Sequence, residues 1–318
     1  MIRLSFIYVL MGLLMGGVAL LNAVDTTNPR RINNTIFWGT YSITFLAGSY
    51  LTDFANGCLV IVMVAAVAIR GLGQGTVAHT STEERLASAR RWKNLLFVPA
   101  LTIPVVTLLG ALYLKNARLF GEALVDPKQV TQISLGLATI VALVVAMVML
   151  RPPTLAPLRE ARRLLDSVGW AAVLPQTLAA LGALFALAGV GTVVATLAQR
   201  WIPLEHAFVA VATYTVGMAL FTIIMGNAFA AFPVMTAGIG LPVIVHHFGG
   251  NVVIMSAIGM LSGYCGTLMT PMAANFNIVP VALLELPDQY AVIKAQIPTA
   301  IPLLITNTLL MYFLVFRF

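Results

Sequence analysis

Charge is scarce in this chain. Asp, Glu, Lys and Arg make up 9% of its 318 residues, whereas a soluble domain carries about 25%. With 60% of residues hydrophobic and a mean hydropathy of +0.95, there is too little polar surface to cover a soluble globule. A polytopic membrane protein is expected. The net charge of +7 does not point to nucleic acid, because the basic residues sit in loops between apolar runs, where they set topology. Cysteine is nearly absent. Cys58 and Cys265 are far apart in apolar surroundings, which excludes a disulfide framework or thiolate cluster and reads as two small buried hydrophobes. No acid–base pair, nucleophile constellation or metal-ligand spacing is present, which argues against an enzyme. "GLGQGT", at 71–76, lacks the Gly-Lys-Ser/Thr ending of a phosphate loop, and no strand precedes it.

Long apolar runs are what the chain does have. They are Leu4–Leu21, Ile36–Leu51, Ala55–Ile69, Leu95–Leu114, Val130–Leu150, Trp170–Leu197, Ala207–Met225, Ala228–Val245, Val252–Leu268 and Ile297–Phe316. A helix crosses the bilayer in roughly 20 residues. The expected fold is therefore all-α, with about 9–10 transmembrane segments. The first run is longer than a signal-peptide core, so it is expected to span. The second and third are short and joined by "TDFANG", which predicts a tight helical hairpin.

Loop charge predicts direction. Arg30, Arg31, Arg70, Arg85, Arg90, Arg91, Lys93, Arg151, Arg159, Arg162 and Arg163 fall on one side. Only Arg3, Lys115, Arg118, Lys128 and Arg200 fall on the other. The richer side is expected to be cytoplasmic, with the N-terminus outside. "STEERLASARRWK" opens with a capping box, Ser81 with Glu84. This helix and "PLREARRLLDSVGW" read as basic amphipathic helices at the cytoplasmic headgroups. Residues 1–168 thus form an N-terminal part with two cytoplasmic basic loops.

Residues 169–318 differ. No Asp, Glu, Lys or Arg falls inside their five apolar runs, so no carboxylate proton path is visible there. His246 and His247 close one run and point to different sides of a helix, which makes them poor co-ligands; they are placed at the interface. The interruptions are uncharged. Gly226, Asn227 and Pro233 break the run Ala207–Val245, which as one helix would be about 58 Å long, nearly twice the ~30 Å hydrocarbon core. Thr236, Gly238, Gly240 and Pro242 follow. "SGYCGTLMTPMAANFNIVP" adds Gly263, Gly266, Thr267, Thr270, Pro271, Asn275 and Asn277. Non-helical backbone at membrane depth survives only where protein or a wet cavity surrounds it. Half-helix starts attract anions and half-helix ends bind cations, which is how secondary transporters build their sites. The candidate binding residues are Gly226, Asn227, Ala228, Thr236, Gly266, Thr267, Thr270, Asn275 and Asn277. The glycines of Ala180–Gly191 fit plain helix packing better.

The strings "GMALFTIIMGNAFAAFPVMTAGIGLPVIV", "GMLSGYCGTLMTPMAANFNIVPVALLEL" and "IKAQIPTA" resemble a bacterial membrane family long labelled as of unknown function, whose members are described as one subunit of a 5-oxoproline (pyroglutamate) transporter. The motif-level likeness runs from about Gly169 to the C-terminus; the first half is similar in layout. More distantly, the chain resembles the ion transporter superfamily of gluconate and citrate permeases, in which each of two inverted repeats supplies a re-entrant hairpin and a broken helix. Gly226–Phe232 looks like one such broken helix, and Trp170–Leu197 is the place for its hairpin. No second copy is visible in the first half. The resemblance implies the bacterial cytoplasmic membrane and a second small polytopic subunit carrying the complementary repeat. It implies a small carboxylate substrate. No ATP-binding motif is present, so transport without a cofactor, coupled to a gradient of sodium or protons, is expected. A structural or assembly subunit, and a membrane-embedded enzyme, remain the alternatives.

Overall fold

The computed structural model describes residues 2–76, 81–115, 117–119 and 122–317. The side chains of Arg70 and Arg85, two of the basic loop residues, lie outside the described residues. Among the described residues regular structure is helical apart from a ribbon of two short strands, Arg118–Leu119 (β1) against Glu122–Ala123 (β2). Among the described residues seven helices are long and apolar enough to cross a membrane: Leu4–Val24, Leu86–Tyr113, Val130–Leu150, Ala156–Phe185, Ala207–Met225, Ala228–His247 and Ala291–Leu314. Asp53–Ile69, Val252–Thr267 and Ala274–Leu283 are apolar but shorter. The chain is an all-α polytopic membrane protein, with seven full-length apolar helices where about 9–10 spans were expected. Its contacts divide it into Met1–Asp166 and Ser167–Phe318.

In the first unit α1 (Leu4–Val24) packs along α2 (Arg31–Ala47). Trp38 and Phe37 are fully buried, and the Ser42 hydroxyl donates to the Gly12 carbonyl at 2.7 Å. The hairpin to α3 (Asp53–Arg70) is tight. Thr52 caps α3, and the Asn56 amide donates to the Gly48 carbonyl at 2.9 Å. Cys58 is exposed on α3 rather than buried; a thiol is apolar enough to face lipid. The Ser81–Glu84 capping box is formed and starts α4 (Thr82–Trp92). Lys93, at φ 44°, turns the chain into α5 (Phe97–Tyr113), which pairs with α6 (Val130–Leu150). The last helix, α7 (Ala156–Val168), is amphipathic as expected, but it is not a free surface helix. Asp166 is buried against α1 and α2, and Arg162 pairs with Asp25 at 3.1 Å. Partial desolvation raises the Asp25 pKa, but hydrogen bonds from Thr27 and the Arg162 charge outweigh it and hold the carboxyl below the usual range.

The second unit contains α8 (Leu174–Leu187), α9 (Val190–Trp201), α10 (Ala207–Met225), α11 (Ala228–Met235), α12 (Val252–Thr267), α13 (Ala274–Leu283) and α14 (Ala291–Leu314). A π-helical segment, Thr236–His247, continues α11. Gly189, at φ 68°, bends α8 into α9, but the pair does not double back. Gly182 abuts Ala230, and Gly191 abuts Val234 and Gly238. Residues 202–204 lie beside Pro242 and His247. The segment therefore runs alongside α11 and its π extension, which corrects the hairpin expected of Trp170–Leu197. Its glycines serve close packing. Lipid supplies no hydrophobic drive between helices, so association rests on such close approach. The same device joins α10 to α12: Gly259 faces Tyr214, Gly263 faces Met218, and Gly266 faces the Ala219 carbonyl. Thr215 and Thr308 tie α10 to α14 through a 2.8 Å hydroxyl pair. His246 and His247 are exposed at the end of the π segment.

Pro233 was expected to help break this run. It lies inside α11, and the helix continues through it because α8, α10 and α12 pack around it. The ring removes one backbone donor and leaves the Phe229 carbonyl without its usual partner. The π geometry, common near functional sites, begins just after it. Pro233→Ala is accordingly expected to leave the thermal unfolding midpoint in detergent unchanged or raised. A drop of many degrees would return Pro233 to the machinery of the break.

Candidate functional site

Two helix breaks build the site. At the first, α10 ends in Gly226, which is left-handed at φ 72° and donates to the Thr222 carbonyl at 2.7 Å. Glycine is favoured here because a side chain resists positive φ. Asn227 is then extended, and its Oδ1 accepts from the Phe229 N–H at 2.8 Å, capping α11. A C-terminal glycine followed by an N-capping asparagine stops one helix and starts the next within two residues. Met225 ends a helix of 19 residues, about 28 Å at 1.5 Å per residue, close to one bilayer crossing.

The second break separates α12 from α13. The Thr267 hydroxyl donates back to the Tyr264 carbonyl. Thr270 reaches across to the first break, donating to the Ile223 carbonyl at 2.8 Å. Asn277 is fully buried, and its Nδ2 donates to the carbonyls of Thr267 at 2.8 Å and Thr270 at 2.6 Å. Two carbonyl acceptors fix the orientation of that amide, since the flipped form would set oxygen against oxygen. The Asn277 Oδ1 has no partner among the described residues.

The breaks enclose a cavity of about 230 Å³ lined by Gly226, Asn227, Ala228, Thr267 and Asn275, with Tyr264 as its largest polar neighbour. Apolar walls come from α8, Phe229, Met272, Ala274 and Phe276. Among the described residues no charged side chain lines it. The starts of α11 and α13 and the ends of α10 and α12 all meet there. The first N–H groups of a helix lack intrahelical acceptors. Asn227 satisfies only that of Phe229, and no side chain caps α13. A small anion can be held by such donors and by the partial positive charge of two helix starts. The volume lies just below the roughly 300–1,000 Å³ of drug-sized sites, as a small metabolite requires.

Five of the nine expected residues therefore line one cavity. Thr270 and Asn277 stand behind it and hold the second break in shape. Gly266 packs against α10, where a Cβ would lie 2.3 Å from the Ala219 carbonyl oxygen. Thr236 is elsewhere, paired with the Tyr214 hydroxyl at 3.1 Å; the π segment carries it away from the break. The sequence reading passed over Tyr264, whose position three residues before Thr267 puts it on the same helix end.

These features define a polytopic membrane protein whose C-terminal unit gathers two interrupted helices around an uncharged cavity. The chain belongs to the protein family of unknown function DUF979, which it matches over residues 5–316. No curated protein and no solved structure is similar to it.

Proposed function

We propose that the chain is a subunit of a secondary transporter for a small carboxylate, 5-oxoproline being the substrate implied by its sequence resemblance, with the cavity between the two breaks as binding site. The convergence of two incompletely capped helix starts on a cavity without charged side chains carries this reading. The carboxylate would meet the N–H groups of α11 and α13. The Asn227 Nδ2 remains a donor because its Oδ1 caps α11. In this reading the protein sits in the bacterial cytoplasmic membrane with its N-terminus outside. It works with a second polytopic subunit, since the two breaks described all fall in one unit, and transport is driven by a cation gradient.

The test is uptake of labelled 5-oxoproline by cells expressing the chain with and without the neighbouring membrane subunit. Uptake is expected only with both. Asn227→Ser keeps an N-cap but loses the amide donor, so apparent affinity should weaken by about 1–3 kcal/mol, roughly 5- to 150-fold, at equal membrane abundance. Leu220→Val, on an exposed face of α10, should change little. Unchanged affinity in Asn227→Ser would make the stretch a packing element and sink this reading. Uptake that persists without sodium at a constant proton gradient would exclude sodium as the driver.

A further inference from the structure

Asp166 is the one charged side chain that is buried among the described residues, at 9% exposure. Three neutral donors from two other helices converge on a single oxygen, Oδ1. They are Asn22 Nδ2 and Asn34 Nδ2, both at 3.1 Å, and Trp38 Nε1 at 2.8 Å. The other oxygen, Oδ2, accepts no hydrogen bond among the described residues. The cradle is itself braced. Asn34 exchanges hydrogen bonds with Gly73, donating to its carbonyl at 2.7 Å and accepting from its N–H at 3.0 Å. Asn28 donates to the same carbonyl at 2.9 Å. The glycines of "GLGQGT" thus bring backbone, not phosphate, to this cluster.

The nearest cation acts on Asp166 through its charge, while its own hydrogen bonds go to other groups. Arg162, one turn earlier on α7, donates to Asp25 and to the Leu21 carbonyl at 3.2 Å. Just before α2, Arg30 donates to the Leu72 carbonyl at 3.1 Å; α2 itself carries Arg31 at its first position and, further along, Tyr41. The segment 71–76 has no titratable side chain, and α1 contributes only Asp25 just past its end. A carboxylate locked in a bidentate ion pair stays ionised. One held by neutral dipoles, with a free oxygen, can take a proton there and keep its other contacts. Buried ionisable groups in membrane proteins mark proton or ion paths.

We propose that Asp166 is a reversible proton-binding site, the proton joining Oδ2 while Oδ1 keeps its three donors, and that this site couples the chain to a proton gradient. The coupling clause rests on the transport reading above; the proton site does not. Protonation removes the charge on which the Asn22, Asn34 and Trp38 bonds draw their strength, so it loosens α7, from which the chain runs directly into residues 169–173 and α8.

The experiment uses the full chain with Trp38 as its sole tryptophan, through Trp92→Phe, Trp170→Phe and Trp201→Phe. Its emission should change with pH through a single transition. Asp166→Asn should abolish that titration, and in co-expressing cells should abolish the pH dependence of uptake. Asn34→Ala, which removes a donor to the charged form, should raise the midpoint by about one pH unit even if Asp166→Asn does not fold. A flat wild-type emission, a titration that survives Asp166→Asn, or a midpoint unmoved by Asn34→Ala overturns the site. A chain that titrates as described but moves no carboxylate overturns the transport reading and leaves the site standing.

Discussion

Gly266→Val is expected to abolish folded protein, read as loss of the monodisperse species in detergent. The Cβ alone would lie 2.3 Å from the Ala219 carbonyl oxygen and 2.9 Å from the Thr222 Cβ. The first of these is backbone of a packed helix and cannot turn aside. Relief requires moving α12 off α10, which also pulls Gly263 from Met218 and Gly259 from Tyr214. The cost exceeds the ~1–3 kcal/mol typical of overpacking. Gly57→Ala is the control, because nothing lies within 4 Å of its would-be Cβ. There the change should stabilise α3 slightly, by up to about 1 kcal/mol of helix propensity. If Gly266→Val folds like the parent, the close approach of the two helices is not what holds the second unit together.

Gly226→Ala is expected to cost about 2–5 kcal/mol and to remove binding. Two penalties add. The left-handed backbone, at φ 72°, costs an alanine about 1–2 kcal/mol. The new Cβ would also meet the Met272 Cβ and carbonyl oxygen, both at 2.7 Å, an overpacking penalty of about 1–3 kcal/mol. Gly249 separates the two. It has the same φ of 72° and nothing within 4 Å, so Gly249→Ala should carry the strain alone and leave binding intact. Chemical denaturation of the pair, with uptake in cells, checks the difference. Equal effects at the two glycines would mean that the contact between the two breaks at Met272 is unimportant, and the cavity with it.

The class of the protein was legible because it depends on composition and run length, which are properties of the chain alone. The break at Gly226–Asn227 was legible too. A left-handed C-terminal glycine and an N-capping side chain act within a few residues of themselves. Pro233 misled for the complementary reason. Its local cost is real, but packing from three neighbouring helices outweighs it, and only the folded chain supplies that packing. The segment Trp170–Leu197 misled in the same way: glycine spacing marks close approach but does not say to which helix or in which direction.

What sequence by itself determined was every feature set by covalent neighbours: spans of sufficient length, the Ser81–Glu84 cap, and the stop and start at 226–227. What only the tertiary structure decided was which polar groups meet. Thr270 reaches Ile223, which lies 47 positions away, and Asn22 reaches Asp166, which lies 144 positions away. A hydrogen bond needs its partners within about 3 Å, and no periodicity or composition records that distance. Asp166 shows the consequence. In the sequence it is one acid on a basic amphipathic helix, and in the fold it is a buried carboxylate, because α1 and α2 bring three donors to a single oxygen.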